Sequence, residues 1–153
     1  AMLGQIERGE SSPTVATLWK IATGFNVPFS TFLEAEQSRQ PLLLHRHGAL
    51  PVYDQANADM RVTPLFPFDP QLGFDIFRIE IAPGAYSESS AHEAGVIEHL
   101  IVLEGELELY AEGVWHNLKM GEAVRFQADQ PHAYRNSSSH VAVLHDLIHY
   151  PLR

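Results

Sequence analysis

The sequence predicts a mainly β chain: a strand-built sandwich or barrel preceded by a short, partial all-α segment. Three observations carry this expectation. Apolar residues alternate with polar ones at a period of two over long stretches, as at Asp75, Phe77, Ile79 and Ile81 against Phe74, Ile76, Arg78 and Glu80. Turn signals recur between such stretches, at Ala82-Pro83-Gly84, Glu112-Gly113 and Lys119-Met120-Gly121. Apolar spacings of three and four are confined to the first 36 residues.

Composition bounds the function. The chain has 153 residues, enough for one ordinary domain with an appendage, and 45% hydrophobic residues can supply a packed core. It has no cysteine, which excludes disulfides and thiolate metal sites and fits a reducing cytoplasm. No apolar run is long enough for a transmembrane helix, and no signal-peptide pattern opens the chain. The net charge of −9 argues against general affinity for nucleic acid or for an anionic membrane.

The helical segment comes first. Leu3 and Ile6 sit three apart, and Gly9 follows as a stop. Ser12 is expected to cap a second helix with Pro13 in its first turn; Val15, Leu18, Trp19 and Ala22 give it an apolar face, and Gly24 ends it. Pro28 opens a last short turn carrying Phe29, Phe32 and Leu33. Three such short helices bury too little apolar surface to stand alone. Residues 37–49 read as a linker, and the His45-Arg46-His47 triplet, lacking a nearby carboxylate, as solvated.

From residue 50 the pattern is extended. Val96, Glu98, Leu100 and Val102 share one strand face, so Glu98 points with apolar neighbours into a core, while His99 points away. Leu107 and Leu109 alternate with Glu106, Glu108 and Tyr110 as a half-exposed strand. Trp115 and His116 follow a hairpin turn and are expected to cover the barrel or a dimer contact. The run at 141–151 closes the chain as a strand; its histidines, with His140, are assigned packing or surface roles. A buried carboxylate must be paired, protonated or bound to metal. Glu98 therefore needs either a hydrogen bond, to Tyr134, Arg125 or a backbone amide, or a metal shared with His92 and His132. Two imidazoles and one carboxylate suit zinc and also ferrous iron.

Two stretches resemble known families. MLGQIERGESSPTVATLWKIATGFNVPFSTFL is similar to the second half of the XRE-type helix-turn-helix domain. The resemblance implies that Gln5 faces bases, that Arg8 and Thr14 lie near the phosphate backbone, and that the first half of the domain is missing from this chain. Residues 1–36 carry a net charge of −2, so the basic footprint of a DNA reader is expected in that missing half. Residues 84–105 and 121–136 resemble the two cupin motifs. Gly84, His92, Glu98 and Gly105 match the first motif, with Ser90 where its first histidine is expected; Gly121, His132 and Asn136 match the second, with Gln127 and Asp129 replacing its Pro and Gly. The resemblance implies a double-stranded β-helix (jelly-roll barrel) over residues 50–153, a three-ligand site of His92, Glu98 and His132 for a divalent metal, and Ser90, Gln127 and Tyr134 lining a ligand pocket. Zinc is favoured for a sensor, with iron, manganese or nickel as alternatives.

The pairing of the two domains resembles a class of bacterial regulators, and LFPFDPQLGF, GVIEHL and LIHYP resemble a group linked to sulfur utilisation. It implies a cytoplasmic homodimer that binds double-stranded DNA and senses a small-molecule effector, such as a sulfur-containing amino acid or related metabolite. The alternative is a metal-dependent cupin enzyme: a dioxygenase, isomerase or lyase.

Overall fold

The computed structural model describes residues 2–25, 27–32, 42–46, 48–54 and 59–151. Leu33, His47 and residues 37–41 of the expected linker lie outside the described residues.

Ten strands form two sheets. A six-stranded sheet has the order β1-β2-β3-β10-β5-β8, and a four-stranded sheet the order β4-β9-β6-β7. The first comprises β1 (Tyr53–Asp54), β2 (Met60–Asp69), β3 (Phe74–Ile81), β5 (Ile97–Glu104), β8 (Ala123–Gln127) and β10 (Ala142–His149). The second comprises β4 (Tyr86–Ser89), β6 (Glu106–Ala111), β7 (Val114–Lys119) and β9 (His132–Arg135). Every paired strand is antiparallel.

The alternation explains which face turns inward. On β3 every second residue from Asp75 to Ile81 is buried, and on β5 Glu98, Leu100 and Val102 are buried while Ile101 faces solvent. β10 runs between β3 and β5, and Leu144, Asp146 and Ile148 point into the same core. Leu107 and Leu109 on β6 close it from the other sheet. The β6–β7 hairpin turns at Glu112 and Gly113, both in the left-handed region (φ 51° and 84°), as a tight two-residue hairpin requires.

The helical segment packs on this barrel. Helix α1 spans Met2–Glu7 and α2 spans Val15–Phe25, followed by a 3₁₀ turn at Phe29–Phe32. The cap of α2 is Thr14, not Ser12: the Thr17 amide donates to Thr14 Oγ1 at 3.2 Å. Gly24 does not end the helix, which runs one residue further. Val15, Ala22 and Phe29 are buried within the same core as the barrel residues. The Phe29 ring lies 5.7 Å from that of Phe77, and Trp19 sits 4.2 Å from Phe29. The buried Ser30 hydroxyl donates to Asp75 at 3.1 Å and accepts from the Phe68 amide at 2.8 Å. The apolar face that these helices cannot bury among themselves is thus covered by the barrel.

Candidate functional site

His92, Glu98 and His132 converge inside the barrel, with one ligating atom from each lying within 4.8 Å of the others. Each arrives by a different route. Glu98 is held by the inward phase of β5. His132 opens β9 in the facing sheet. His92 follows β4 in a loop fixed by its amide donating to the Ala128 carbonyl at 2.9 Å. Glu98 is 1% exposed and His132 3%.

Within the cluster two imidazole nitrogens converge on one carboxylate oxygen. His92 Nε2 lies 2.8 Å and His132 Nε2 lies 3.5 Å from the same oxygen, Glu98 Oε1. Yet neither ring nitrogen has a properly aligned hydrogen-bond partner, although both are buried. Two buried imidazole nitrogens and a carboxylate oxygen within 4.8 Å of one another supply a donor set that suits a divalent cation. His132 Nδ1 meets the Gln130 carbonyl at 2.9 Å, a contact that places the proton on Nδ1 and leaves Nε2 with its lone pair. The other carboxylate oxygen, Glu98 Oε2, accepts from the Tyr134 hydroxyl at 2.5 Å.

The electrostatics are those of a charged group held in a dry interior. Burial pushes the Glu98 carboxyl up, but the close approach and charge interaction of His132 and His92 overcome it and hold it well below the usual carboxylate range. Burial lowers His132, and the Glu98 carboxylate more than reverses this, so the imidazole titrates above its ordinary value. Burial, together with the negative charges of Glu98 and Asp146, raises the Tyr134 hydroxyl well above the usual phenol range, which keeps it a donor.

A cavity of about 60 Å³ lies beside the cluster. Ser90 and Tyr134 line it, together with Trp19 and Lys20 of α2. Gln127, expected on its wall, stands instead exposed at the end of β8, in register with Ile97. Its side chain is on the outward phase of that strand, opposite to buried Phe126, and a period-two count from Phe126 gives that direction. Asn136 of the second motif is structural: its amide donates to the Ile81 and His140 carbonyls at 3.0 and 2.7 Å. Arg125 is exposed, as its strand phase implied. Trp115 does not cover the barrel interior; it lies on the outer side of the four-stranded sheet, with Arg135 stacked 4.2 Å above its ring.

Gln5, Arg8 and Thr14 are on the helical segment. Gln5 is exposed on α1. Arg8 is exposed and spans both carboxylate oxygens of Glu10, at 2.8 and 2.9 Å. Thr14 caps α2. Two further residues belong to the site, although the sequence reading did not place them there. Trp19 stacks 5.5 Å from the His92 ring, so α2 closes the barrel mouth on the site itself. Asp146, 2% exposed, keeps an unpartnered Oδ1 at the cavity wall. Its inward phase between Leu144 and Ile148 was a readable signal of the same kind as that for Glu98.

Comparison with known proteins fits these two parts. The cupin domain model matches residues 77–148, and a helix-turn-helix model matches residues 1–32. The HTH-type transcriptional regulator SutR of Escherichia coli K12 is 56% identical over 151 residues, covering 99% of this chain and 80% of that protein. The chain belongs to the XRE-type helix-turn-helix transcriptional regulators with a C-terminal cupin domain. The crystal structure of the cupin domain of an XRE-family regulator from Enterobacter cloacae is 58% identical, covers 61% of this chain and 98% of its own, and superposes with a TM-score of 0.60. An HTH_3-family regulator from Vibrio cholerae is 39% identical and matches 98% of this chain and 79% of its own at a TM-score of 0.76. Likeness at 14% identity to a predicted oxalate decarboxylase from Thermotoga maritima shows the shared barrel fold alone. Among the described residues, no helix of this regulator is long and apolar enough to cross a membrane.

Proposed function

We propose that this regulator reads DNA as a homodimer and that its barrel senses a small molecule through a site held together by a divalent metal. The observation that carries the reading is the contact between the two modules. Trp19 of the helix-turn-helix segment packs on His92 of the three-residue cluster. A change at the cluster therefore bears directly on a helix that supports the DNA-reading head. In a dimer, a small displacement of α2 alters the spacing of two heads that must meet half-sites about one helical turn apart. Gln5 is the proposed base contact, with Arg8 and Thr14 near phosphates; Arg8 would exchange its bond to Glu10 for a phosphate oxygen.

His92, Glu98 and His132 would hold the metal, for which zinc is favoured. Bound there, it would supply a Lewis-acidic position open to a carboxylate or thiol of the effector. The protein's own residues do the rest. The Gln130 carbonyl fixes the His132 tautomer, and Tyr134 orients Glu98 and shields its second oxygen. Ser90 and Tyr134 would face the effector from the cavity wall, and a sulfur-containing amino acid or related metabolite is the proposed class. The working compartment is the cytoplasm, where such metabolites and the operator coexist.

The test is metal content by elemental analysis of purified protein, beside a His92→Ala/His132→Ala variant, with operator binding followed in both. Stoichiometric metal that is lost in the variant, with altered DNA affinity or effector response, supports the reading. Protein that is free of metal when prepared without chelator, and whose DNA binding ignores both substitutions, would overturn it.

A further inference from the structure

The cavity between α2 and the barrel has a chemistry that the metal cluster does not use. Its walls are apolar on both sides, with Val15 and Trp19 from the helix and Met60, Val62 and Ile79 from the barrel. Asp146, Lys20 and the exposed Glu88, whose carboxylate accepts from the Tyr86 hydroxyl on the outer side, border it. Asp146 stands on the barrel side, 2% exposed, with Oδ1 lacking any hydrogen-bond partner. Lys20 stands on the helix side and is exposed, free to swing its flexible stem over the opening. A buried carboxyl without a partner is a costly thing to keep among Leu144, Ile148 and Phe77, and an apolar residue would pack there at no such cost.

We propose that this cavity binds a compact amino-acid-like zwitterion, its ammonium on Asp146 and its carboxylate at Lys20. The inference rests on the reading that the barrel senses a small molecule, and it names the subsite and the ligand class. Three arguments select that class. Burial and the neighbouring Glu98 raise the Asp146 carboxyl well above its ordinary value, and an ammonium supplies the donor that Oδ1 lacks and favours the ionised form through a charge-assisted hydrogen bond. A carboxylate or phosphate placed against Asp146 would meet a second like charge from Glu98, whose field already acts on Asp146. Size excludes larger metabolites: about 60 Å³, against about 10–15 Å³ for one water, has room for roughly four to six water-sized groups. That suits a small amino acid and not a nucleotide. Ser89 and Ser90 at the same wall add hydroxyls for the ligand's remaining hydrogen bonds. The polarity of this placement also gives the ligand a role. A carboxylate gripped by Lys20 and an ammonium gripped by Asp146 tie α2 to β10 through the ligand.

Calorimetric titration of the protein in EDTA tests the proposal, since chelation keeps a thiol from binding through metal. The probes are L-alanine, L-cysteine and L-methionine, each beside its deaminated acid and its decarboxylated amine. At least one amino acid is expected to bind. Removing its amino group, or making Asp146→Asn, should weaken binding by about tenfold to a hundredfold. Lys20→Gln should weaken the amino acid but leave the amine unchanged. If Asp146→Asn unfolds, as a melting curve would show, Ser90→Trp at the exposed rim should block binding instead. Equal binding by the deaminated acid, or by Asp146→Asn, overturns the subsite while the sensor reading stands. Binding seen only with metal restored and lost in the His92→Ala/His132→Ala variant places the ligand on the metal and likewise overturns it. No binding by any probe, with or without metal, removes the proposal and the amino-acid reading together.

Discussion

Asp75 should make the docking of the helical segment depend on pH. It is fully buried, and burial pushes its carboxyl up from 3.8 to about 8, against the lowering effect of hydrogen bonds from Ser30 and Tyr150. Ser30 belongs to the 3₁₀ turn behind α2, so Asp75 sits at the joint between the two modules. The folded protein keeps the proton up to about pH 8, whereas the unfolded chain releases it near 3.8. Folding therefore takes up a proton between those values. The stability this confers is fully present below the lower value and is lost as pH rises toward the upper one, at up to about 1.4 kcal/mol per pH unit. Between pH 5 and pH 7 the loss is roughly 3 kcal/mol. Asp75→Asn has no proton to lose and can still accept from Ser30. Urea unfolding of both proteins at pH 5, 6, 7 and 8, in chelator, isolates the effect. Contributions of His132, raised and so lost in the same direction, and of Glu98, depressed and so lost only in acid, largely cancel in the difference. The variant should gain on the parent by roughly 3 kcal/mol across pH 5–7. Stability curves that stay parallel within about 0.5 kcal/mol would refute a protonated Asp75.

Other substitutions probe the site and its supports. Glu98→Gln preserves volume but removes the charged ligand; bound metal, read by elemental analysis after dialysis, should fall well below stoichiometric. Tyr134→Phe leaves Glu98 Oε2 without its donor, and metal affinity by competition with a chromophoric chelator should fall about tenfold to a hundredfold. Gly105→Ala should destabilise the barrel by about 2 kcal/mol or more in urea, because the residue sits at φ 73° and a Cβ would meet the Val141 carbonyl oxygen at 2.8 Å. Trp19→Ala removes the ring that stacks on Phe29 and His92; it should cost about 2–4 kcal/mol and uncouple operator affinity from occupancy of the barrel, measured by fluorescence anisotropy.

Much of the barrel was legible because one rule, alternation, fixes which side chains turn inward. The burial of Glu98 and the outward turn of Ile101 follow from it, and so does the inward turn of Asp146. The rule was available for Gln127 as well, and the motif position outweighed it; the side chain obeys the strand and not the motif. The convergence of His92 with Glu98 and His132 is a different matter. His132 lies more than thirty residues beyond the other two and His92 sits in a loop, so the pairing of β4 with β9, of β5 with β8 and the bond from the His92 amide to Ala128 bring them together, and here a motif resemblance carried what periodicity could not. The α2 cap was misplaced by two residues because Ser12-Pro13 satisfies the preference for a capping hydroxyl before proline, while Thr14 wins by reaching the Thr17 amide.

The packing of the helices on the barrel had no sequence signal of its own, since an apolar helix face announces that it will be covered but not by what. That cover is what gives the histidine cluster a route to the helices. Had α2 closed against other helices alone, the barrel could change its contents without moving them. With Trp19 against His92 on one side and Ser30 against Asp75 on the other, α2 and its 3₁₀ turn rest on two buried polar groups of the barrel core. Apolar contacts such as Phe29 on Phe77 supply adhesion that is indifferent to small changes in geometry. The Ser30–Asp75 contact is not indifferent, because a hydrogen bond shifted by an ångström loses its partner. Adhesion and sensitivity are therefore carried by different residues at the same joint. Strengthening the apolar set, by filling the space beside Val15 with Val15→Ile, should raise stability while damping any response of operator binding to the barrel's contents.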